Sequence, residues 1–113
     1  MKVIVTGGRR FIDHKLFLRV IEGIWPARVV VGDCPTGADL MARRWATATL
    51  TLPAKVYVAD WTKYDKAAGP IRNALMLEEN RDASFLLAFP GEAGTEDCVS
   101  KARKMNLPVL RVL

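Results

Sequence analysis

The segment from Lys2 to Ile24 reads KVIVTGGRRFIDHKLFLRVIEGI, and the order of its apolar residues decides the fold. Val3, Ile4 and Val5 are adjacent, so the run Lys2–Thr6 is apolar on both faces. Strands covered by helices on both sides read this way, whereas half-exposed strands alternate. Gly7 and Gly8 break the run. Phe17, Val20, Ile21 and Ile24 then follow the i, i+3, i+4, i+7 spacing of a helix with one buried face. Strand, glycine turn and helix in this order open a parallel βαβ unit.

The pattern repeats outward. Apolar runs at Arg28–Val31, Lys55–Ala59, Ser84–Phe89 and Val109–Leu113 predict further strands. Helical spacing recurs at Ala38, Met41, Ala42, Trp45 and Ala46. A third helix is predicted to open at Pro70, where proline is favoured in a first turn, and to carry Ile71, Ala74, Leu75 and Met76. A fourth carries Cys98, Val99, Ala102 and Met105, with Thr95 as N-cap, Asn106 as stop and Pro108 beyond it. Trp25 and Trp45 read as core. The order βαβαβαβαβ predicts one α/β domain over residues 1–113. Its expected form is a Rossmann-like three-layer sandwich around a five-stranded parallel sheet.

Composition narrows the classes. Half of the residues are hydrophobic (50%) and 26% are charged, which excludes a disordered tail and a collagen. No apolar stretch reaches the roughly 18–20 residues that span a bilayer, so no membrane partner is expected. Met1-Lys2 leads directly into the first strand and its glycines, which leaves no place for a signal-peptide core. Cys34 and Cys98 are too few for a disulfide scaffold and read as reduced thiols of a cytoplasmic protein. His14 is the single histidine and reads as a surface or helix-start residue. No cluster has metal-ligand spacing, so neither a metal nor a cofactor is expected. Seventeen Lys and Arg against twelve Asp and Glu give a formal net charge of +5. That balance favours an anionic partner without naming it.

Most glycines fall in the connections that lead from strand to helix. These lie at the carboxyl edge of an open parallel sheet, where ligands bind. Gly7-Gly8-Arg9-Arg10 offers close backbone approach, amides and two guanidiniums for a phosphate, or is simply a tight turn with solvated arginines. In Gly32-Asp33-Cys34-Pro35-Thr36-Gly37, Thr36 or Gly37 would cap the second helix. Asp39 follows in the first turn. It either serves the helix dipole, the simpler reading, or bonds a ribose hydroxyl as Asp33 would. The loop Asp60–Gly69 is long, and Trp61 and Tyr64 would stack a base or pin the loop. Arg72, beside Asn73, puts a cation near a helix start, against the dipole, and such a broken local rule points to function. Pro90-Gly91-Glu92-Ala93-Gly94-Thr95 enters the fourth helix with free amides suited to an anion, and is the best single site signal. Glu96 and Asp97 satisfy that helix dipole, or one is a general base. Cys98 sits on the apolar stripe and reads as packed rather than nucleophilic.

Four segments together, VTGGRRF, GDCPTGAD, AGPIRNALML and FPGEAGTEDCVSKA, resemble the SLOG superfamily. That superfamily includes the LOG phosphoribohydrolases and DprA, and the match is nearest to its YspA-like, YpsA-related branch. The resemblance implies a Rossmann-like sheet with a nucleotide-derived ligand at the carboxyl edge. In LOG hydrolases the loop is PGGxGTxxE, and an upstream arginine with the final glutamate cleaves the N-glycosidic bond of a nucleoside monophosphate. Arg72 takes the arginine's place, and Pro90-Gly91 and Gly94-Thr95 match the loop. Glu92 replaces the second glycine and Cys98 the glutamate. Glu96 and Asp97 stand nearby, although each residue along a helix turns a side chain by about 100°.

The expected function is binding of a nucleotide or nucleotide-derived phosphate. Amides at Gly7-Gly8 and from Gly91 to Thr95 would hold the phosphate. Arg72 and Arg9 or Arg10 would supply charge, and Asp33 or Asp39 would orient ribose. Catalysis would be N-glycosidic hydrolysis, with Arg72 holding the ligand and Glu96 or Asp97 as acid/base. The charge and the DprA relation support a second reading, a single-stranded nucleic-acid binder, whose affinity would fall steeply with salt. A third is a ligand-free interaction module. A homodimer or higher homo-oligomer is expected, because many relatives are dimers.

Overall fold

Val3, Ile4 and Val5 have no exposed surface, because their strand is the centre of the sheet and helices cover it on both sides. The computed structural model describes residues 1–113. Its strands are β1 (Lys2–Thr6), β2 (Arg28–Gly32), β3 (Lys55–Tyr57), β4 (Phe85–Ala88) and β5 (Val109–Arg111). They form one all-parallel sheet in the order β3-β2-β1-β4-β5, with Val5 beside Val31 and Leu87. The helices are α1 (His14–Ile24), α2 (Gly37–Thr49), α3 (Trp61–Tyr64), α4 (Ala68–Glu79) and α5 (Ala93–Lys104). The α/β Rossmann-like fold is therefore as the sequence predicts.

Period-two alternation splits β1 between two cores. Val3 and Val5 pack with Phe17, Ile21, Ala42 and Trp45 of α1 and α2. Ile4 packs on the other face with Met76, Leu77, Cys98 and Val99 of α4 and α5. Each large side chain buried in this way contributes about 1.5–3 kcal/mol. The chain first builds outward from β1 to β3, then returns to place β4 on the other side of β1. This reversal is the switch point, from which the chain leaves β1 and β4 toward helices on opposite faces of the sheet.

Four local expectations are corrected. Trp25 is not core: it is 56% exposed and is the left-handed C-cap of α1 (φ 48°), edge-on to the buried Trp45 with ring centroids 5.4 Å apart. The third long helix begins at Ala68 rather than Pro70, and much of the supposed loop before it is α3 and a 3-10 turn over Asp65–Ala67. Pro70 is harmless as the third helical residue, since that amide has no partner within a helix. The fourth long helix begins at Ala93, so Glu92 is its N-cap and Thr95 lies buried inside the first turn. Strand β3 also ends early, as Ala59 N–H turns to Asp33 Oδ1 (3.3 Å) and the Asp60 carboxylate caps α3. No helix is long and apolar enough to cross a membrane.

Candidate functional site

The glycines of the carboxyl edge pack three loops onto one another. Gly8 donates its amide to Pro90 O (2.9 Å), and a methyl on Gly8 would lie 2.9 Å from Gly91 Cα. The Gly8 carbonyl accepts from Phe11 and Ala38, and Gly37, at φ 72°, would bring a methyl to 2.1 Å from that same oxygen. A methyl on Gly7 would meet Ala38 Cβ at 2.5 Å. The Gly8 amide is thus spent within the protein, which corrects its expected role as a free phosphate donor. Thr36 is the N-cap of α2 by position, yet its hydroxyl donates to Arg9 O (2.9 Å) and makes no capping bond.

The loop after β4 is different. The amides of Gly91, Glu92, Ala93, Gly94 and Thr95 donate to no backbone carbonyl; Glu96 N–H is the first to do so, to Glu92 O (3.0 Å). Gly8, Arg10, Phe11, Pro90, Gly91 and Glu92 line a shallow cleft of about 400 Å³ beside these amides. Arg9 and Arg10 are exposed, and Arg10 Nη1 lies 3.9 Å from the exposed Glu92 carboxylate.

A second group gathers over the end of β2. Arg72 Nη1 donates to Asp33 Oδ1 (2.8 Å), its Nε donates to Asn73 Oδ1 (2.9 Å), and Tyr57 O lies 3.5 Å away. Because α4 starts at Ala68, Arg72 lies beyond the first turn, and Asp33 offsets its charge. The buried Asn73 donates to Gly94 O (3.2 Å) and Asp97 Oδ2 (3.1 Å), and Lys101 pairs with Asp97. One polar chain therefore joins β2, α4 and α5.

Asp39 is 6% exposed. Its Oδ2 accepts from Cys34 N–H (3.2 Å), while Arg43 Nη1 donates to Cys34 O (2.9 Å). Burial pushes the Asp39 carboxyl up to about 6, against the pull of Arg72 and Arg43. A methyl on Gly32 would lie 2.6 Å from Arg72 Nη1 and 2.9 Å from Asp39 Oδ2, so both side chains lie over the bare backbone there.

The other candidates lie elsewhere. Glu96 accepts from both terminal nitrogens of Arg111 at β5, and that bond holds its carboxyl below the ordinary value. Cys98 is fully buried, which pushes its thiol up to about 12 and leaves it a neutral packing group. Cys34 is half-buried, and both cysteines are free thiols. Sequence reasoning does not single out Arg43. Its position four residues after Asp39 on α2 is the available signal, since that spacing makes helix neighbours.

Parallel strands in the order β3-β2-β1-β4-β5, with helices on both faces, define a Rossmann-like α/β domain. The profile of the YspA, cpYpsA-related SLOG family (YAcAr) matches residues 1–64, more than half of the chain, and the chain belongs to this family. Membership points to nucleotide-related ligand binding in general. The match covers Gly7, Gly8, Asp33, Gly37 and Asp39, whereas Arg72 and the loop after β4 lie beyond it. No curated protein matches the chain.

Proposed function

We propose that the chain binds a nucleotide or nucleotide-derived phosphate over the loops after β1, β2 and β4, and hydrolyses its N-glycosidic bond. The observation that carries the binding reading is the run of amides from Gly91 to Thr95 without backbone acceptors, tied through Asn73 to the Arg72 group. Oriented amides at a helix start favour an anion. Gly91, Gly94 and Thr95 would hold the phosphate, and Arg9 or Arg10 would add charge that offsets Glu92. Arg72 would hold the ligand's inner part, and Asp33 or Asp39 would face the ribose. Gly7, Gly8, Gly37 and Pro90 shape the floor. Hydrolysis is supported by the likeness of the PGEAGT loop and Arg72 to the LOG pattern. The ion pairs of Glu96 and Asp97 weigh against either as acid/base.

Thermal stability against nucleotides, nucleoside monophosphates, ADP-ribose and NAD tests the binding. A ligand at about a hundred times its Kd adds about 2.7 kcal/mol, a shift of several degrees. The shift should vanish in Arg72→Ala. No shift with any compound, alongside salt-sensitive binding of single-stranded oligonucleotides, would favour the nucleic-acid reading instead.

A further inference from the structure

We propose that Asp39 is the acid/base of this site, the group that moves the proton when water cleaves the N-glycosidic bond of a bound nucleotide. The inference rests on the nucleotide-pocket reading and adds the residue that the reading lacks.

The other carboxylates at the carboxyl edge have other work or stand in open solvent. Asp13 caps α1 through Leu16 N–H, and Asp60 caps α3 through Lys63 N–H. Asp33 pairs with Arg72, Glu96 with Arg111 and Asp97 with Lys101. Glu92 and Asp65 are exposed, the first near Arg10. Asp39 has no ion pair within 4.0 Å and one hydrogen bond, from Cys34 N–H to Oδ2. Its Oδ1 has no partner. Trp45 Nε1 is the one fully enclosed side-chain polar atom without a hydrogen bond, so Oδ1 keeps contact with solvent. Asp39 is therefore anchored through Oδ2 and unpartnered at Oδ1, within a residue that is 6% exposed.

Its surroundings suit proton transfer. The charged groups around it are Arg72 from α4, Arg43 from α2 and Asp33 from the end of β2. Burial outweighs the two arginines and sets the carboxyl near 6, where both protonation states are populated close to neutrality. Arg72 reaches the same bare stretch of Gly32, so a sugar held by Arg72 lies beside Asp39.

The step balances without any redox partner. The water oxygen bonds to C1′ as the C1′–N bond breaks, and the bonding pair leaves on the base nitrogen. Asp39 Oδ1 accepts the proton that water releases and passes it to that nitrogen, which regenerates the carboxylate.

Asp39→Asn keeps the shape and removes the proton carrier. Release of free base from AMP, GMP, CMP and UMP is followed by chromatography, and binding of the same nucleotides by calorimetry, for both proteins across the acidic-to-neutral range. The expected result is turnover by the wild type and a loss of about 100-fold or more in the turnover rate of Asp39→Asn, far exceeding any change in Kd. The ratio of the two rates cancels the phosphate's own titration; it should rise with pH through about 6 and then level. A melting temperature no lower than wild type confirms that the variant folds. Turnover retained in Asp39→Asn, or a flat ratio, overturns the assignment and leaves the pocket intact. Nucleotide binding without turnover by the wild type overturns it while the binding reading stands. Absence of both binding and turnover overturns the two together.

Discussion

The Arg72 guanidinium donates to Asp33 Oδ1 at 2.8 Å across 39 residues of sequence, with 15% and 28% of the two side chains exposed. The bond ties the end of β2 to α4 and holds Arg72 over Gly32. Asp33 also accepts Ala59 N–H, so it anchors the chain as it leaves β3. Asp33→Ala strips a mostly buried cation and a backbone amide of their acceptor. A loss of about 2 kcal/mol is expected in urea unfolding, as for a hydrogen bond to a charged group.

Two glycine substitutions should act in opposite directions. A methyl on Gly91 would lie 2.7 Å from Gly8 N and 2.0 Å from Thr95 Oγ1, so the loops after β1 and β4 must part. Gly91→Ala should cost roughly 1–3 kcal/mol and abolish ligand binding. Gly23, in α1, has nothing within 4 Å of an added methyl and no positive φ. Gly23→Ala should add roughly 0.4–1 kcal/mol, and paired denaturation curves check both.

Stability should depend on pH through Asp39. Its folded pKa is raised from 3.8 to about 6, so between these values the folded chain binds more protons than the unfolded one. Its contribution is therefore complete at acid pH and lost as pH rises through about 6, by at most about 3 kcal/mol. Asp39→Asn escapes that loss. Relative to wild type its unfolding free energy should grow as pH rises from about 4 to 7, and urea curves across that range measure it.

Thiol labelling should separate the cysteines. Cys98 is sealed in the core with its thiol near 12, whereas Cys34 is half-buried in a loop. Mild alkylation of the folded protein should label Cys34 and spare Cys98, while denatured protein labels at both. Peptide mass analysis reads the outcome.

Legibility in the sequence follows the range of the interactions. The central strand and its two cores are readable because Val3-Ile4-Val5 and the helical spacings are local patterns with one physical cause, burial. The start of α4 escapes a sequence reading because Ala68 and Gly69 are poor start signals beside Pro70, and α3 is too short to carry a period. Trp25 misleads because hydrophobicity alone does not reveal that α1 ends there in a left-handed turn. At the site, Arg72 stands out in the sequence as a cation against the helix dipole, although α4 starts at Ala68 and Arg72 in fact lies past its first turn, paired with Asp33. The Gly8–Gly91 contact and the burial of Asp39 are long-range, and no spacing in one sequence announces them.

The central claim is that a nucleotide phosphate sits on the amides after β4. Amide chemical shifts recorded during a titration with AMP test it residue by residue. The account predicts the largest changes from Gly91 to Thr95, with the Arg72 side-chain N–H signals moving in step. Changes centred on another face of the protein, or none at saturating AMP and ADP-ribose, would contradict it.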